Sequence, residues 1–151
     1  MITINNKTIH LQGRDISYVM TVGEHGDLLH YHFGKKLGDR EFSVPMSYNV
    51  WSAYAPEGYT LENVPQEYPS YGYTDLRPPA YIVKNGQGNC VSQLKYSGYE
   101  IYEGETPKIQ GLPCVTEGNK SVSTLAIKLS DGLAGICVTL YYQVFDESDV
   151  I

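Results

Sequence analysis

An acidic and a basic residue stand two positions apart, at Asp75 and Arg77, inside the tyrosine- and proline-rich stretch YPSYGYTDLRPPAY, residues 68–81. Proline fixes the backbone φ angle, and Pro78 favours an extended conformation at Arg77. In extended backbone, side chains two positions apart project to the same side. Asp75 and Arg77 can therefore form a local ion pair, or they can offer an acceptor and a forked donor to vicinal sugar hydroxyls beside a tyrosine ring. Residue chemistry alone leaves both interpretations open.

Trp51 is the single tryptophan, and it lies in the least regular part of the chain, residues 34–63. A tryptophan on a loop can serve as a platform for a sugar ring, and it can equally fill a core. Both alternatives stay open for Trp51.

Other catalytic or metal-binding chemistry has weak support in the sequence. The acidic residues, Glu67 among them, are scattered without a defined pair, which indicates a solubilising surface role. His30 and His32 form an H-x-H pattern on a predicted strand, which would place both rings on one face, but no third ligand is identifiable. Neither a catalytic signature motif nor a phosphate-binding glycine loop is present. We expect no cofactor and no metal.

Composition excludes several classes of partner. The formal net charge is −6 and the pI is about 5.1, and basic residues do not cluster, which argues against nucleic acid. The sequence shows neither a membrane-length apolar run nor a secretory signal, so we expect no membrane partner and a cytoplasmic location. The three cysteines, Cys90, Cys114 and Cys137, are predicted to be small, buried and reduced.

Short alternating runs rich in Val, Ile, Thr and Tyr, separated by Gly, Asn and Pro turns, predict about ten to twelve strands and no amphipathic helix. This pattern is typical of an all-β sandwich or barrel in one domain, residues 1–151. Of the two we expect an antiparallel β-sandwich. The final residues, FDESDVI, begin a new alternation that stops, so we expect the chain to be truncated within a longer protein. The predicted strands are Met1–Asn5, Thr8–Gln12, Ile16–Val22, Leu28–Phe33, Tyr48–Tyr54, Ala80–Lys84, Cys90–Tyr96, Tyr99–Glu103, Leu112–Glu117, Ser123–Leu129 and Gly135–Val144.

Five segments along the chain together resemble the N-terminal part of bacterial α-galactosidases (melibiases) of glycoside hydrolase family 36. They are the opening MITINNKTIHLQGRDISYVM, HYHFGKKL at 30–37, LENVPQEYPSYGYTDLRPPAY at 61–81, PKIQGLPCVT at 107–116 and the closing LYYQVFDESDVI. The segment at 61–81 resembles the signature L-P-Q-E-Y-P-x-x-G-x-x-D-F-R-x-P-A, with Leu76 where phenylalanine is usual. Cys114 stands where the family has alanine.

The resemblance implies that this chain is the first part of a β-supersandwich of the galactose-mutarotase-like type, followed in the family by a catalytic (β/α)₈ barrel. That barrel carries both catalytic aspartates of a retaining hydrolysis of terminal α-galactose from sugars such as melibiose and raffinose. The chain itself is then expected to be inactive. Its expected partners are α-galactosides, the barrel of its own or a neighbouring subunit, and other copies in a homo-oligomer.

The same resemblance assigns Asp75 and Arg77, which match the signature, to the rim of a substrate entrance, with a purely structural loop as the alternative. Trp51 lies outside the resembling segments, and we expect it to line the same entrance unless it fills the core. Two other functions are possible from the residues: a free-standing carbohydrate-binding module, or an interaction domain without a ligand. A binding module would bind galactosides alone, whereas a rim-forming domain would require the barrel.

Overall fold

The computed structural model describes residues 1–38, 42, 61, 64–72, 77–104, 110–111 and 121–151. Two predicted strands, Tyr48–Tyr54 and Leu112–Glu117, lie outside these residues, as does Cys114. Within the described part of the chain, no helix is long and apolar enough to cross a membrane.

In the described residues, seven strands form two antiparallel sheets, and there is no α-helix. The first sheet has four strands in the order β1-β2-β3-β4, and the second has three in the order β5-β6-β7. Neighbours in each sheet are also neighbours in sequence, which is typical of antiparallel meanders. The strands are β1 (Ile2–Asn5), β2 (Thr8–Gln12), β3 (Ile16–Val22), β4 (Leu28–Lys35), β5 (Lys95–Glu103), β6 (Val122–Asp131) and β7 (Ile136–Phe145).

The two sheets bury one shared hydrophobic core. In the first sheet, Ile9, Leu11 and Met20 lie on one face, because the register pairs Ile9 with Met20 and Leu11 with Tyr18. They pack in one cluster with Leu125 and Ile127 of the central strand β6. Alternation along each strand brings these apolar residues to the facing sides of the sheets. The predicted all-β antiparallel sandwich is confirmed.

The opposite face of the first sheet is covered by a smaller apolar cluster. Leu29 of β4 pairs with Thr21, on the face away from the main core, and it contacts Leu61 and Val64. All three side chains are at most 3% exposed. Leu61 and Val64 therefore pack on the outside of the first sheet, shortly before the loop that follows.

The first hairpin and its neighbours follow the predicted alternation closely. The predicted Thr8–Gln12 and Ile16–Val22 match β2 and β3 at both ends. The β1–β2 turn is formed by Asn6 and Lys7, since Asn5 already pairs with Thr8, and Asn6 adopts a φ of 53°. Asparagine is among the few residues that tolerate this left-handed conformation.

Two of the strand predictions fail, wholly or in part, in the region between the sheets. The predicted strand Ala80–Lys84 is reduced to a single parallel bridge between Tyr81 and Ser70, because no neighbouring strand among the described residues continues the pairing. Residues 90–94 of the predicted Cys90–Tyr96 are irregular. The remainder joins the predicted Tyr99–Glu103 in one continuous β5, whose register shifts between Tyr96 and Gly98.

Two of the cysteines are not buried as predicted. Cys137 is exposed, and Cys90 is intermediate in exposure. Cys137 is the cross-strand partner of Ser130, and both belong to the face of the second sheet that points away from the core. Flanking Ile and Val residues identified the strand correctly, but period-two alternation turned Cys137 outwards.

A buried carboxylate, Asp131, holds the turn between β6 and β7 to the chain that precedes β5. Its Oδ1 accepts hydrogen bonds from the backbone N–H groups of Leu133 (2.9 Å) and Ala134 (3.0 Å), and its Oδ2 accepts one from Gln93 N–H (2.7 Å). Burial alone would raise the pKa of Asp131, but the N–H donors of Ala134, Gln93 and Leu133 outweigh it and lower the pKa below its ordinary value.

Replacing Asp131 with alanine should lower the free energy of unfolding by about 1–3 kcal/mol at neutral pH, because three N–H groups lose a charged acceptor. A group with a lowered folded-state pKa contributes stability above its unfolded pKa of about 4, and this contribution is lost as the pH falls through the folded value. In urea unfolding, the advantage of wild type over Asp131→Asn should therefore shrink in acid, while Asp131→Ala, which has no acceptor, should stay the least stable. Equal stability of all three proteins at pH 7 would contradict this account.

Candidate functional site

A short extra strand segment places the candidate site at the seam between the sheets. Residues 65–67 pair with the start of β4: His30 N–H donates to Pro65 O (2.7 Å), and Glu67 N–H donates to Leu28 O (3.0 Å). Leu29 and Gln66 form an antiparallel bridge between these two bonds. The chain then leaves the sheet at Tyr68, where the loop 68–81 begins.

Glu67 turns its carboxylate into this seam, where it contacts both sheets. Its Oε1 accepts hydrogen bonds from the hydroxyls of Tyr18 on β3 (2.5 Å) and Tyr142 on β7 (2.6 Å). Its Oε2 lies 3.3 Å from His30 Nδ1 on β4, and the Glu67 side chain is only 8% exposed. A buried carboxylate is costly unless hydrogen-bond donors satisfy it, and here the donors come from both layers of the sandwich.

Aromatic packing surrounds this carboxylate. The ring of Tyr18 lies edge-on to His30, with centroids 5.0 Å apart, and within 5.9 Å of the ring of Tyr142. Burial raises the pKa of the Tyr18 hydroxyl well above its usual range, and the hydrogen bond to Glu67 adds to this effect. Burial likewise raises the pKa of Tyr142, reinforced by the negative charge of Glu67. Both phenols stay protonated donors at neutral pH.

The two ends of loop 68–81 are held side by side, which closes the loop at its base. The rings of Tyr68 and Tyr81 stack with centroids 5.2 Å apart and an angle of 8° between their planes. Ala80 N–H donates to Pro69 O (2.9 Å), next to the parallel bridge between Ser70 and Tyr81. Tyr81 also forms a hydroxyl–hydroxyl hydrogen bond with Ser92 (2.8 Å). Two of the four tyrosines in this stretch thus define the base of the loop.

Arg77 lies in the second half of the loop 68–81 and binds the chain before the loop, at Leu61 and Val64. Its Nη2 donates to the backbone carbonyls of Leu61 and Val64, each at 2.8 Å. The guanidinium is always charged, so both carbonyls accept a hydrogen bond from a charged donor. Arg77 thereby connects the loop to the apolar cluster on the outer face of the first sheet.

The remaining predicted site residues, Asp75 and Trp51, lie outside the described residues. Of the predicted rim, the structure places only Arg77, and its possible contact with substrate stays a prediction. Tyr71, in the described part of the loop, is 46% exposed.

The predicted histidine pair is separated rather than assembled. His32 pairs with Val19 and His30 with Met20, so a bulge between the adjacent residues Val19 and Met20 puts the two rings on opposite faces. His30 contacts Glu67, whereas the Nε2 of His32 lies 3.1 Å from Lys35 O. The prediction that both rings share a face is wrong, because strict alternation fails at a bulge. In the described ranges, no group of three potential ligands could hold a metal ion.

A buried serine–histidine pair also lies in the first sheet. His10 Nε2 is 2.8 Å from Ser17 Oγ, a distance suited to activating a nucleophile. Ser17 is completely buried, however, and its Oγ accepts the N–H of Leu37 (3.0 Å). A substrate cannot reach this oxygen in the structure, so the pair is a structural contact.

Sequence reasoning missed Glu67 as a buried contact. Glu67 was grouped with the surface acids, yet its side chain is one of the best satisfied polar groups between the sheets. The available signal was its position directly before Tyr68, inside the long family-like segment 61–81. The tyrosines that contact it lie 49 and 75 residues away in sequence, so spacing could not reveal them.

Comparison with known families gives a match over most of the chain. Residues 26–151 match the model of the glycosyl hydrolase family 36 N-terminal domain. The α-galactosidase AgaA of Geobacillus stearothermophilus is 36% identical over 151 residues, which cover 96% of this chain and 21% of that protein. The bifunctional α-galactosidase/sucrose kinase AgaSK of Mediterraneibacter gnavus is 37% identical, over 97% of this chain and 16% of that protein.

Solved structures show the same fold. The α-galactosidase AgaB from Geobacillus stearothermophilus superposes with a TM-score of 0.85 at 36% identity, covering 97% of this chain and 21% of that one. A variant of AgaA in complex with raffinose superposes with a TM-score of 0.82 at 35% identity, covering 93% of this chain and 20% of that one. The chain therefore spans about a fifth of the length of these relatives.

We expect alanine substitutions at Gly72 and Gly86 to have different effects on the free energy of unfolding. Gly72 has a φ of +84°, and a Cβ there would lie 2.9 Å from Cγ2 of Val91. Gly72→Ala should therefore lower the free energy of unfolding by about 1–2 kcal/mol. Gly86→Ala is the control, since its Cβ would meet nothing within 4 Å, and it should be neutral or slightly stabilising. Denaturant unfolding measures both, and equal effects would contradict the packing described here.

The raised pKa of Tyr142 predicts a specific alkaline destabilisation. Below the unfolded-state pKa of about 10 this tyrosine does not make stability pH-dependent; above it, stability is lost as the pH rises, by no more than about 1.4 kcal/mol per pH unit. Tyr142→Phe should reduce this slope, whereas Tyr141→Phe, at an exposed neighbouring position, should not. Unfolding measured from pH 9 upwards tests this, and identical slopes in both variants would refute it.

Proposed function

The chain belongs to the N-terminal domain family of glycosyl hydrolase family 36, and from this premise we propose that it is the non-catalytic N-terminal domain of a retaining α-galactosidase. The parent enzyme would remove terminal α-galactosyl residues from sugars of the melibiose and raffinose type. The domain would contribute to oligomer assembly and to the rim of the active site. The observation that carries the proposal is the similarity to α-galactosidases over nearly the whole chain.

The architecture of the loop supports a role at the rim. The base of loop 68–81 is fixed by a stacked tyrosine pair and by hydrogen bonds, while Tyr71 is about half exposed. Functional groups are commonly carried on loops that a rigid scaffold holds in place. A closed loop of this kind can hold a carboxylate and a guanidinium in a fixed orientation toward a sugar, and Asp75 and Arg77 are the proposed pair. Trp51 is proposed as an apolar platform at the same entrance.

The substrate class is proposed from the relatives. A variant of AgaA binds raffinose in its solved structure, and another variant binds stachyose. A sugar of this size extends beyond the terminal galactose, so a rim residue would contact only its outer part. The proposed partners are therefore α-galactosides, bound by the parent enzyme. We further propose that the enzyme needs no cofactor and acts in the cytoplasm.

Exposed apolar side chains support assembly with further protein. Tyr99 and Ile101 of β5 pair with the core residues Ile127 and Leu125, so their side chains point to the core side of the second sheet. They are nevertheless 45% and 40% exposed. Apolar surface on the inner side of a sheet is typical of a site that another protein segment covers. The proposed partners are the catalytic barrel of the same or a neighbouring subunit, within a homo-oligomer.

Arg77→Ala in the α-galactosidase that carries this domain should raise the KM for raffinose by about tenfold, the effect of losing one charged hydrogen bond. The KM for a small aryl α-galactoside should change little, because that substrate does not extend past the terminal galactose. Steady-state kinetics with both substrates, together with the sedimentation coefficient, provide the test.

Arg77→Lys is the control variant, since it keeps the charge and loses the planar fork. The 151-residue chain alone should not bind raffinose measurably by calorimetry, because the barrel is required. Parallel loss of activity on both substrates together with dissociation of the oligomer would show that Arg77 is structural, and the rim assignment would be wrong.

A further inference from the structure

We infer that Glu67 is the positioning residue of the loop 68–81, fixing the loop to both sheets and thereby setting the preference of the enzyme for extended α-galactosides. The part that concerns substrate preference rests on the proposed function of the loop. The part that concerns loop position rests on the contacts of Glu67 alone.

Glu67 directly precedes Tyr68, so its position determines where the loop 68–81 begins. Its backbone N–H is bonded to Leu28 O at the edge of β4, and the next residue, Tyr68, starts the loop with its ring stacked on Tyr81. The stacked rings, with an angle of only 8° between their planes, connect the two ends of the loop. A change in the orientation of residue 67 therefore passes directly into the base of the loop.

The contacts of the Glu67 carboxylate fix this orientation against both sheets. One oxygen accepts the hydroxyls of Tyr18 from the first sheet and Tyr142 from the second. The shortness of these bonds, 2.5 and 2.6 Å, is typical of hydrogen bonds to an ionised acceptor. Because the side chain is nearly buried, water cannot readily replace either donor. The start of the loop is thus held in a fixed position relative to both sheets.

Arg77 extends this control across the loop. Its Nη2 binds the carbonyls of Leu61 and Val64, and Val64 precedes Glu67 by only three residues. Arg77 therefore holds Leu61 and Val64, and Glu67 holds the chain three residues after Val64. If Glu67 loses its hydrogen bonds to Tyr18 and Tyr142, the carbonyl groups of Leu61 and Val64 can shift. The Arg77 guanidinium bound to them can then shift as well.

A set of variants separates an acceptor role from simple filling of space. Glu67→Leu keeps much of the volume but leaves two phenol donors without an acceptor. Glu67→Gln keeps one oxygen that can accept both hydroxyls. Ile127→Val is the matched control, because it removes a buried methyl group from β6 and touches no polar contact of the loop. If Glu67→Leu does not fold, Tyr142→Phe removes one of the two donors and should give the same pattern with a smaller amplitude.

Hydrogen exchange in the α-galactosidase that carries this domain tests the positioning role. Glu67→Leu should accelerate exchange in residues 68–81, including the Ala80 amide bonded to Pro69 O, while β6 keeps its protection. Glu67→Gln should restore most of the protection, and Ile127→Val should leave the loop unchanged. The inference is overturned if loop and β6 exchange rise together, if the loop is unaffected, or if glutamine behaves like leucine.

Kinetics test the consequence for substrate choice. Glu67→Leu should raise the ratio of the KM for raffinose to the KM for an aryl α-galactoside by about tenfold or more, the scale expected when a positioned group is misplaced, while kcat on the aryl substrate is retained. If Arg77→Ala shifts this ratio and Glu67→Leu does not, the inference is wrong. If Arg77→Ala leaves the ratio unchanged, the proposed rim function fails, and the exchange data still decide whether Glu67 positions the loop.

Discussion

The face-to-face packing of the two sheets is the constraint on which the other features of this domain depend. Each sheet has an apolar face that it cannot bury alone, and residues such as Leu11 and Met20 lose contact with water only against Leu125 and Ile127. This packing creates a seam at the edge of β4, and the polar groups in that seam must satisfy each other. Glu67 and its tyrosine partners therefore depend on the core for their proximity.

Burial gives the Glu67 contacts their rigidity. In water, a carboxylate and a phenol would exchange partners freely, but a nearly buried carboxylate has few alternatives to Tyr18 and Tyr142. The same burial raises the pKa of both tyrosines, so that they remain donors. Glu67 can hold the loop in place relative to the two sheets only because its partners are themselves fixed by burial.

The described residues of the loop combine a base fixed by contacts with an exposed side chain at Tyr71. Tyr68 and Tyr81 close the base by stacking, and Gly72 supplies a backbone conformation that other residues rarely adopt, beside Val91. Arg77 connects the loop to the turn at Leu61 and Val64. Proline content and tyrosine count indicated an ordered loop from the sequence, but which tyrosines form its base follows only from contacts between distant residues.

The sequence by itself determined the fold class, the family and the extents of β2 and β3, because alternation and turn residues act locally and the family-like segments are continuous in the chain. It failed where a local rule is overridden by a partner. Ala80–Lys84 has strand-like residues but forms only one bridge in the described part of the chain. A bulge opposite Val19 and Met20 places His30 and His32 on different faces. The role of Glu67 was decided by tertiary structure alone, since its donors are 49 and 75 residues away and meet it only after the two sheets have packed.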